Sequence, residues 1–323
     1  MDAHPQRLAV EYVLPLRWPA GADLTDLTGY LAELSACVDV TVVDGSDGDE
    51  FDRHAAAWGS WARQVRPEPW PGRNRKVASV VTGVRAARHE AVIIADDDVR
   101  YRPAELAAVT GRLAGADLVR PQNVFVPAPW HARWDTARSL INRAVGQDYP
   151  GTFAVRRSTF LAMGGYDGDV LFENLQLMRT VRAAGGVVRD APDIYVGRRP
   201  PAAEWFVRQR VRQAYDDFAQ PVRLLAEAAL LPAIALAAVR RPGLLPLVPA
   251  AAVALAEAGR RRHGGSRVWP RTAACWAPLW MAERAVCVWL AIGARMRGGV
   301  RYHGTRIRHA ARPVSPASPR RSD

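Results

Sequence analysis

Three consecutive aspartates, Asp96-Asp97-Asp98, close a short apolar run from Ala91 to Ala95. Like charges this close repel and raise one another's pKa values. A divalent cation removes the difficulty, because hard Mg²⁺ or Mn²⁺ takes oxygen ligands, commonly one or two carboxylates plus substrate phosphate oxygens. Asp96 and Asp98, two apart across a turn, can direct carboxylates to one such ion while Asp97 faces elsewhere. A solvated acidic turn, or a helix N-cap ahead of Pro103-Ala104-Glu105, accounts for the same residues, so D-x-D by itself does not decide. A second acidic group, Asp44-Gly45-Ser46-Asp47, ends the β-branched run Val38 to Val43. Lys76 is the only lysine in a chain that otherwise uses arginine for its cations. It marks either a place that needs a compact ammonium on a flexible stem, or chance retention on a helix surface.

The elements that must hold these residues follow from periodicity. Leu8 to Leu14, Val38 to Val43 and Ala91 to Ala95 read as strands; Asp23 to Ala36 and Lys76 to Arg88 read as helices, the second with Val77, Val80, Val81 and Val84 on one side. Strand, polar turn and helix in repetition predict βαβ units and a mainly parallel sheet. Ligands of such sheets bind beyond the carboxyl ends of the strands, where both acidic groups fall. Further along, Ala116 to Arg120, Asn123 to Val126 and Thr152 to Val155 read as short strands. Helices are expected over His131 to Val145, Val170 to Ala184 and Ala202 to Phe218, the middle one closed by Gly185-Gly186.

Beyond Pro221 the composition changes. Residues 1–220 hold 27 Lys+Arg against 28 Asp+Glu, whereas residues 221–323 hold 17 Arg against 4 acidic residues. The net charge of +12 therefore sits in the C-terminal third. That third also holds three apolar segments, Val222–Val239, Gly243–Ala258 and Thr272–Ala294. Arg240-Arg241 and Arg260-Arg261-Arg262 flank them as juxtamembrane cations do. This distribution predicts a bilayer partner and excludes nucleic acid, which would draw basic residues and stacking aromatics onto one folded surface. The third segment is long enough to span; the first two are short and carry Glu227 and Glu257, leaving spanning, re-entrant and interfacial placements open, with buried helices of a soluble domain as the alternative. Met1 to Arg7 is polar and does not read as a signal peptide. Cys37, Cys275 and Cys287 form neither a disulfide framework nor a C-x-x-C metal pattern, which fits a reducing compartment. Three parts are expected: an α/β catalytic domain over 1–220, a membrane-associated helical region over 221–297, and a basic tail over 298–323 whose last dozen residues, crowded with Pro and Ser, read as disordered.

Over roughly residues 8–215 the chain resembles the family 2 glycosyltransferases, whose fold is GT-A. The motifs, in order, are Glu11-Tyr12-Val13-Leu14-Pro15; Val42-Val43-Asp44-Gly45-Ser46-Asp47; Asn74-Arg75-Lys76 opening a helix with Gly83 and Ala87; Val92 to Asp98; Gly164-Gly165-Tyr166-Asp167 with Glu173-Asn174; and Gln209-Arg210-Val211-Arg212-Gln213. The resemblance implies a Rossmann-like, mainly parallel sheet with flanking helices, followed by apolar membrane helices. It implies an inverting, metal-dependent transfer of a sugar from a nucleotide-diphosphate sugar to a membrane-proximal lipid or glycan acceptor, on the cytosolic side of the cytoplasmic membrane.

The same resemblance implies residue roles. Asp44 would meet the nucleotide base and Lys76 the nucleotide or its phosphates. Asp96 and Asp98 would hold Mn²⁺ or Mg²⁺, with Asp97 and Gln209 also in the donor site. Arg210 and Arg212 would stabilise the departing diphosphate. Two departures stand out. The family's usual base position is Asn174, which cannot take a proton, so Glu173 is the expected base, with Asp167 and Asp169 in reserve. Gln213 stands where processive members carry Trp, which favours transfer of a single sugar. Trp130, Trp134 and Trp205 would either stack on a sugar or serve packing. The segment Gly298 to Gly304 resembles a Gly-rich aromatic element of related transferases and is expected at the membrane surface, without a catalytic role. Two other functions compete: a non-catalytic sugar-nucleotide-binding membrane scaffold, and a sugar-phosphate nucleotidyltransferase, for which Leu14 to Trp18 offers no Gly-rich phosphate loop.

Overall fold

A computed structural model describes residues 7–302 and 304–314. The expected Pro- and Ser-rich end, from residue 315 on, lies outside the described residues, as does His303. The N-terminal half runs β1 (Val10–Leu16), α1 (Thr25–Ser35), β2 (Asp39–Asp44), α2 (Gly48–Trp58), β3 (Arg63–Val65), α3 (Arg75–Ala86), β4 (Ala91–Ala95), β5 (Val99–Arg100), α4 (Pro103–Gly111), β6 (Leu118–Phe125), α5 (Trp130–Val145) and β7 (Thr152–Arg156). Then come α6 (Arg157–Ala162), α7 (Glu173–Ala183), β8 (Val188–Arg198), α8 (Ala203–Arg208), α9 (Arg210–Tyr215), α10 (Pro221–Arg240), α11 (Leu247–Arg261), α12 (Ala277–Met296), β9 (Val300–Tyr302) and β10 (Thr305–Ile307).

The strands of the main sheet lie in the order β3-β2-β1-β4-β7-β6-β8-β5. The four on the left are parallel; β7 runs antiparallel between β4 and β6, and β5 antiparallel to β8. Alternation along β1 explains why both faces must be covered. Tyr12, Leu14 and Leu16 pack with Leu27, Leu31, Leu106 and Val109 on one side. Val13 points to the other, into Val77, Val80, Val81, Val84, Phe160 and Met178. The expected mainly parallel α/β sheet followed by apolar helices is thus what the chain forms, and all four valines read on one side of α3 are buried.

Where the sequence reading broke one strand in two, β6 is a single strand with a register shift between Pro121 and Gln122. Pro121 has no N–H to give the ladder. The helix expected over Ala202 to Phe218 is instead α8 and α9, broken at Gln209, with a 3₁₀ turn over Asp216–Ala219.

Three helical stretches are long and apolar enough to cross a membrane: Pro221–Arg240, Pro242–Arg267 and Arg271–Met296. α10 leaves Val222, Leu225, Leu236 and Val239 exposed. Its acid, Glu227, is buried and turned inward to Arg223, with Arg284 of α12 also close by. Charges in apolar helices face the protein interior because lipid cannot solvate them. α11 packs closely on α5: a Cβ on Gly259 would lie 1.8 Å from the Leu140 carbonyl oxygen. Within the stretch expected as a basic tail, β9 and β10 pair antiparallel, and residues 309–310 then return to the α/β sheet domain, where Leu171 and Phe172 donate their N–H groups to the carbonyls of His309 and Ala310 at 2.9 and 2.7 Å.

A close helix–sheet contact lies at Gly83, where an added Cβ would sit 2.2 Å from Val13 Cγ1 and 2.9 Å from Val43 Cγ2. Gly83→Ala gains about 1 kcal/mol of helix propensity but overpacks two stiff β-branched neighbours. A net loss of about 1–3 kcal/mol is expected, read as a lowered midpoint in urea titration of the detergent-solubilised protein.

Candidate functional site

The site forms at the carboxyl edge of β1, β2 and β4, where the parallel sheet opens. Asn74 caps α3, its side-chain oxygen accepting the Lys76 N–H at 3.1 Å. Its amide donates to the Val170 carbonyl at 3.0 Å and reaches Glu173 at 3.5 Å. One capping residue therefore fixes the start of α3 against the loop that leads into α7, and brings Lys76 and Glu173 together. Lys76 Nζ lies 2.5 Å from Asp96 Oδ1 and 2.7 Å from Glu173 Oε1. Burial works to lower the pKa of this ammonium, but the two carboxylates outweigh it and hold it well above the usual lysine value.

Asp96 is held by its own N–H, which donates to the Gly151 carbonyl at 2.9 Å. Only glycine fits at 151, since a Cβ there would come within 2.6 Å of Asp96 Oδ2. Asp98 Oδ2 accepts from Arg198 Nε at 2.8 Å, and the same guanidinium lies 3.8 Å from Asp96 Oδ2. The other oxygen of Asp98 is buried and has no hydrogen-bond partner among the described residues. Burial is the main cause that raises the Asp98 carboxyl, with Arg198 opposing. Asp97, pushed up to about 6 by burial and then by its two neighbours, stands beside them. Two carboxylates converging at a strand end, one with an orphaned oxygen, fit a divalent cation: Asp96 and Asp98 are the residues that would hold it.

Other expected residues are placed differently. Asp44 sits on the same edge but is fully buried. It accepts the Ser46 N–H at 2.9 Å and Gln64 Nε2 at 2.8 Å, and His54 Nδ1 lies 2.6 Å away. Its carboxylate builds the turn after β2, with these internal partners where a nucleotide-base contact was expected. Arg210 is also turned away. It pairs with Asp135 at 3.1 Å and Glu283 at 3.6 Å and lies over the Phe206 ring at 3.8 Å, tying α9 to α5 and α12. Residues two apart on a helix lie about 200° apart round its axis, so Arg210 and Arg212 cannot both face the cleft. Arg212 is the one that does, stacked 4.6 Å over Tyr302. Gln209 is half-buried at the α8–α9 break, its backbone N–H on the Trp205 and Phe206 carbonyls; among the described residues its side chain makes no hydrogen bond to the acidic cluster. Asn174 donates to the Pro150 carbonyl at 3.0 Å. Asp167 and Asp169, the reserve bases, are paired with Arg312 at 3.0 and 2.8 Å. Trp130 and Trp134 pack with Phe206 in an aromatic cluster.

Three residues at the site were not read from sequence. Arg198 ends β8, a strand obscured by Pro192 and by charges at 189, 190 and 193. Tyr302 comes from the segment assigned no role, yet burial and the nearby charges of Glu173, Arg212, Lys76 and Asp96 all act on its hydroxyl. Asp216, just past α9, keeps one buried oxygen without a hydrogen-bond partner among the described residues. A second group of potential metal ligands, Glu11, Asp39 and His89, lies at the opposite, amino edge of the sheet. Arg7, Arg63 and Arg88 already balance its carboxylates, so it is an ion-pair cluster.

The glycosyltransferase family 21 model matches residues 59–121, the stretch that carries Lys76 and the D-x-D turn. The model is that of family 21, where the motifs resemble family 2. Among solved structures, the mannosyltransferase PcManGT from Pyrobaculum calidifontis, in complex with GDP-mannose and Mn²⁺, is similar at 20% identity and a TM-score of 0.48, over 89% of this chain and 90% of that one. Glucosyl-3-phosphoglycerate synthase from Mycobacterium tuberculosis, in complex with Mn²⁺, UDP and glucosyl-3-phosphoglycerate, is similar at 19% identity and a TM-score of 0.42, over 62% of this chain and 76% of that one. No curated protein matches the sequence.

Asp216 generates a pH prediction. Burial raises its carboxyl to about 7; Arg212 opposes, while Asp217 and Glu173 add to the rise. The folded protein then keeps a proton that the unfolded chain releases near pH 4. Stability should fall as pH rises between those values. Asp216→Asn removes the ionisation, so its melting temperature should drop less than wild type between pH 5 and pH 8 in matched thermal scans.

Proposed function

We propose that this chain is a metal-dependent, inverting glycosyltransferase that moves one sugar from a nucleotide-diphosphate sugar to an acceptor hydroxyl at a membrane surface. The observation that carries the reading is the convergence of Asp96 and Asp98, with the orphaned Asp98 oxygen, beside Lys76 and Glu173 at the open edge of the sheet. The family 21 match over the same stretch supports it.

Asp96 and Asp98 would hold Mn²⁺ or Mg²⁺, which supplies positive charge against the diphosphate as negative charge develops on it. Lys76, released from Asp96, contributes a mobile ammonium to the same oxygens. Arg212, on the cleft side of α9, adds a planar guanidinium suited to bidentate phosphate contact. Glu173 is the proposed base. It takes the proton of the acceptor hydroxyl as that oxygen bonds to the anomeric carbon, and the bond from that carbon to the diphosphate oxygen breaks. Attack from the face opposite the leaving group inverts the anomeric centre. Asp44 acts one step back, by shaping the turn beside the donor.

The membrane part of the reading rests on the exposed apolar face of α10 and the arginines that flank the apolar helices. A lipid or membrane-bound glycan is the acceptor class that such a placement presents to the site. Arginine-rich flanks favour the cytosolic face of the cytoplasmic membrane for the catalytic domain. The single-sugar outcome follows from Gln213.

Two measurements test this. Calorimetric titration of UDP and GDP into detergent-purified protein should show binding that requires Mn²⁺ and that Asp98→Ala abolishes; folded wild-type protein that binds neither nucleotide overturns the transferase reading. Glu173→Gln should lower the transfer rate by about 10²–10⁴-fold, with binding of the metal–nucleotide pair unchanged within about threefold. Full activity in Glu173→Gln moves the base elsewhere, and Asp216→Asn is then the variant to assay.

A further inference from the structure

We infer that Arg198 holds the metal position while the site is empty, and becomes a ligand of the donor's diphosphate once a divalent cation takes the two aspartates. The inference rests on the reading of Asp96 and Asp98 as metal ligands.

Backbone pairing fixes where Arg198 stands. β5 and β8 run antiparallel with Val99 opposite Arg198, and the Arg199 N–H donates to the Asp98 carbonyl at 2.7 Å. This pairing delivers the Arg198 side chain beside the D-x-D turn. Its Nε holds Asp98 Oδ2 at 2.8 Å and its Nη2 lies 3.8 Å from Asp96 Oδ2, while Lys76 holds the other Asp96 oxygen at 2.5 Å. Each carboxylate that would bind the metal is thus engaged by a cation of the chain itself. Arg198 also borders a small recess lined by Asn123, Phe125, Arg138, Ser139, Asp148 and Tyr149.

Charge balance then couples the two ligands. Metal alone would have to displace Arg198 and Lys76 and remain beside them, and the three positive centres repel. Diphosphate alone would have to draw Arg198 away from Asp98 and leave that buried carboxylate unpaired. Together the ligands relieve both conflicts: the metal takes Asp96 and Asp98, and the freed guanidinium pairs bidentately with diphosphate oxygens. Each ligand therefore raises the affinity of the other by the same factor. The metal's own bonds to phosphate oxygens couple the two ligands in any case; Arg198 adds to that coupling, which an ion-pair partner with only a structural role would not.

The test is binding, without turnover. Free Mn²⁺ is counted by electron paramagnetic resonance, and UDP and GDP are titrated calorimetrically with and without Mn²⁺, on wild type, Arg198→Met and Arg198→Lys. In wild type each ligand should tighten the other by about 10–100-fold. Arg198→Met, which keeps the apolar stem and loses the charge, should bind Mn²⁺ alone several-fold tighter than wild type. The same variant should bind the nucleotide in the presence of Mn²⁺ at least about tenfold more weakly, so that the coupling is reduced. Arg198→Lys keeps the charge, so it should match wild type for Mn²⁺ alone and fall between the two for nucleotide. The opposite signs separate this behaviour from a folding defect, which would weaken both ligands. Unchanged or weaker Mn²⁺ binding in Arg198→Met overturns the inference. Wild-type protein that binds Mn²⁺ but neither nucleotide overturns the functional reading together with the diphosphate role of Arg198, and the Mn²⁺ titration of Arg198→Met still decides whether the guanidinium occupies the metal position.

Discussion

Everything at the open edge of the sheet depends on how three adjacent carboxylates are kept from repelling one another apart. Asp96, Asp97 and Asp98 follow directly on β4, so their backbone is fixed by the sheet and cannot relax to spread the charge. Lys76 comes from the first turn of α3 and Arg198 from the last residue of β8. These cations reach the turn from opposite sides, and each is delivered by a different part of the fold. Asn74 sets the position of Lys76, and the β5–β8 pairing sets that of Arg198. The acidic turn thus needs the whole sheet, from β2 to β8, to be assembled before it is electrostatically tolerable.

Local chemistry was legible in the sequence; long-range direction was not. The β4 run and its terminal aspartates, the apolar side of α3 and the lone lysine all follow from neighbours in the chain, and periodicity reads those well. Asp44 was rightly placed at the edge. Its burial was not visible, because it depends on α2 and β3 bringing in His54 and Gln64, and neither element has a strong periodic signal. Arg210 and Arg212 arrived as one motif, although helix geometry alone forbids them to share a direction. Arg198 was missed because its partner, Asp98, is 100 residues away and its strand is interrupted by Pro192. No pattern within one element records a contact of that kind.

The apolar region is attached through polar groups. Arg143, fully buried on α5, donates to Gln122, to the Pro192, Gly259 and Arg262 carbonyls, and to the Tyr195 hydroxyl. One side chain thereby joins α5, both strands of the β6–β8 pair and the end of α11. A second junction links Asp217 to Arg223 and Arg284, and so ties α10 and α12 to the chain just beyond α9. Breaking one partner of such a buried pair strands the other charge, so these junctions are more costly to lose than surface pairs of the same length. They hold the helices that carry the lipid-compatible surface in fixed register with the helix that presents Arg212.

The return of residues 305–314 to the start of α7 has a temporal meaning. Leu171 and Phe172, just ahead of Glu173, donate to carbonyls at 309 and 310, and Arg312 holds the two aspartates of the preceding loop. The peptide that supplies those acceptors is synthesised after α10, α11 and α12. A nascent α/β domain can therefore form its sheet early, yet it lacks the contacts that frame Glu173 until the three apolar helices and the segment beyond them have been made. The surroundings of Glu173 are thus completed by a part of the chain separated from it in synthesis by the whole apolar region.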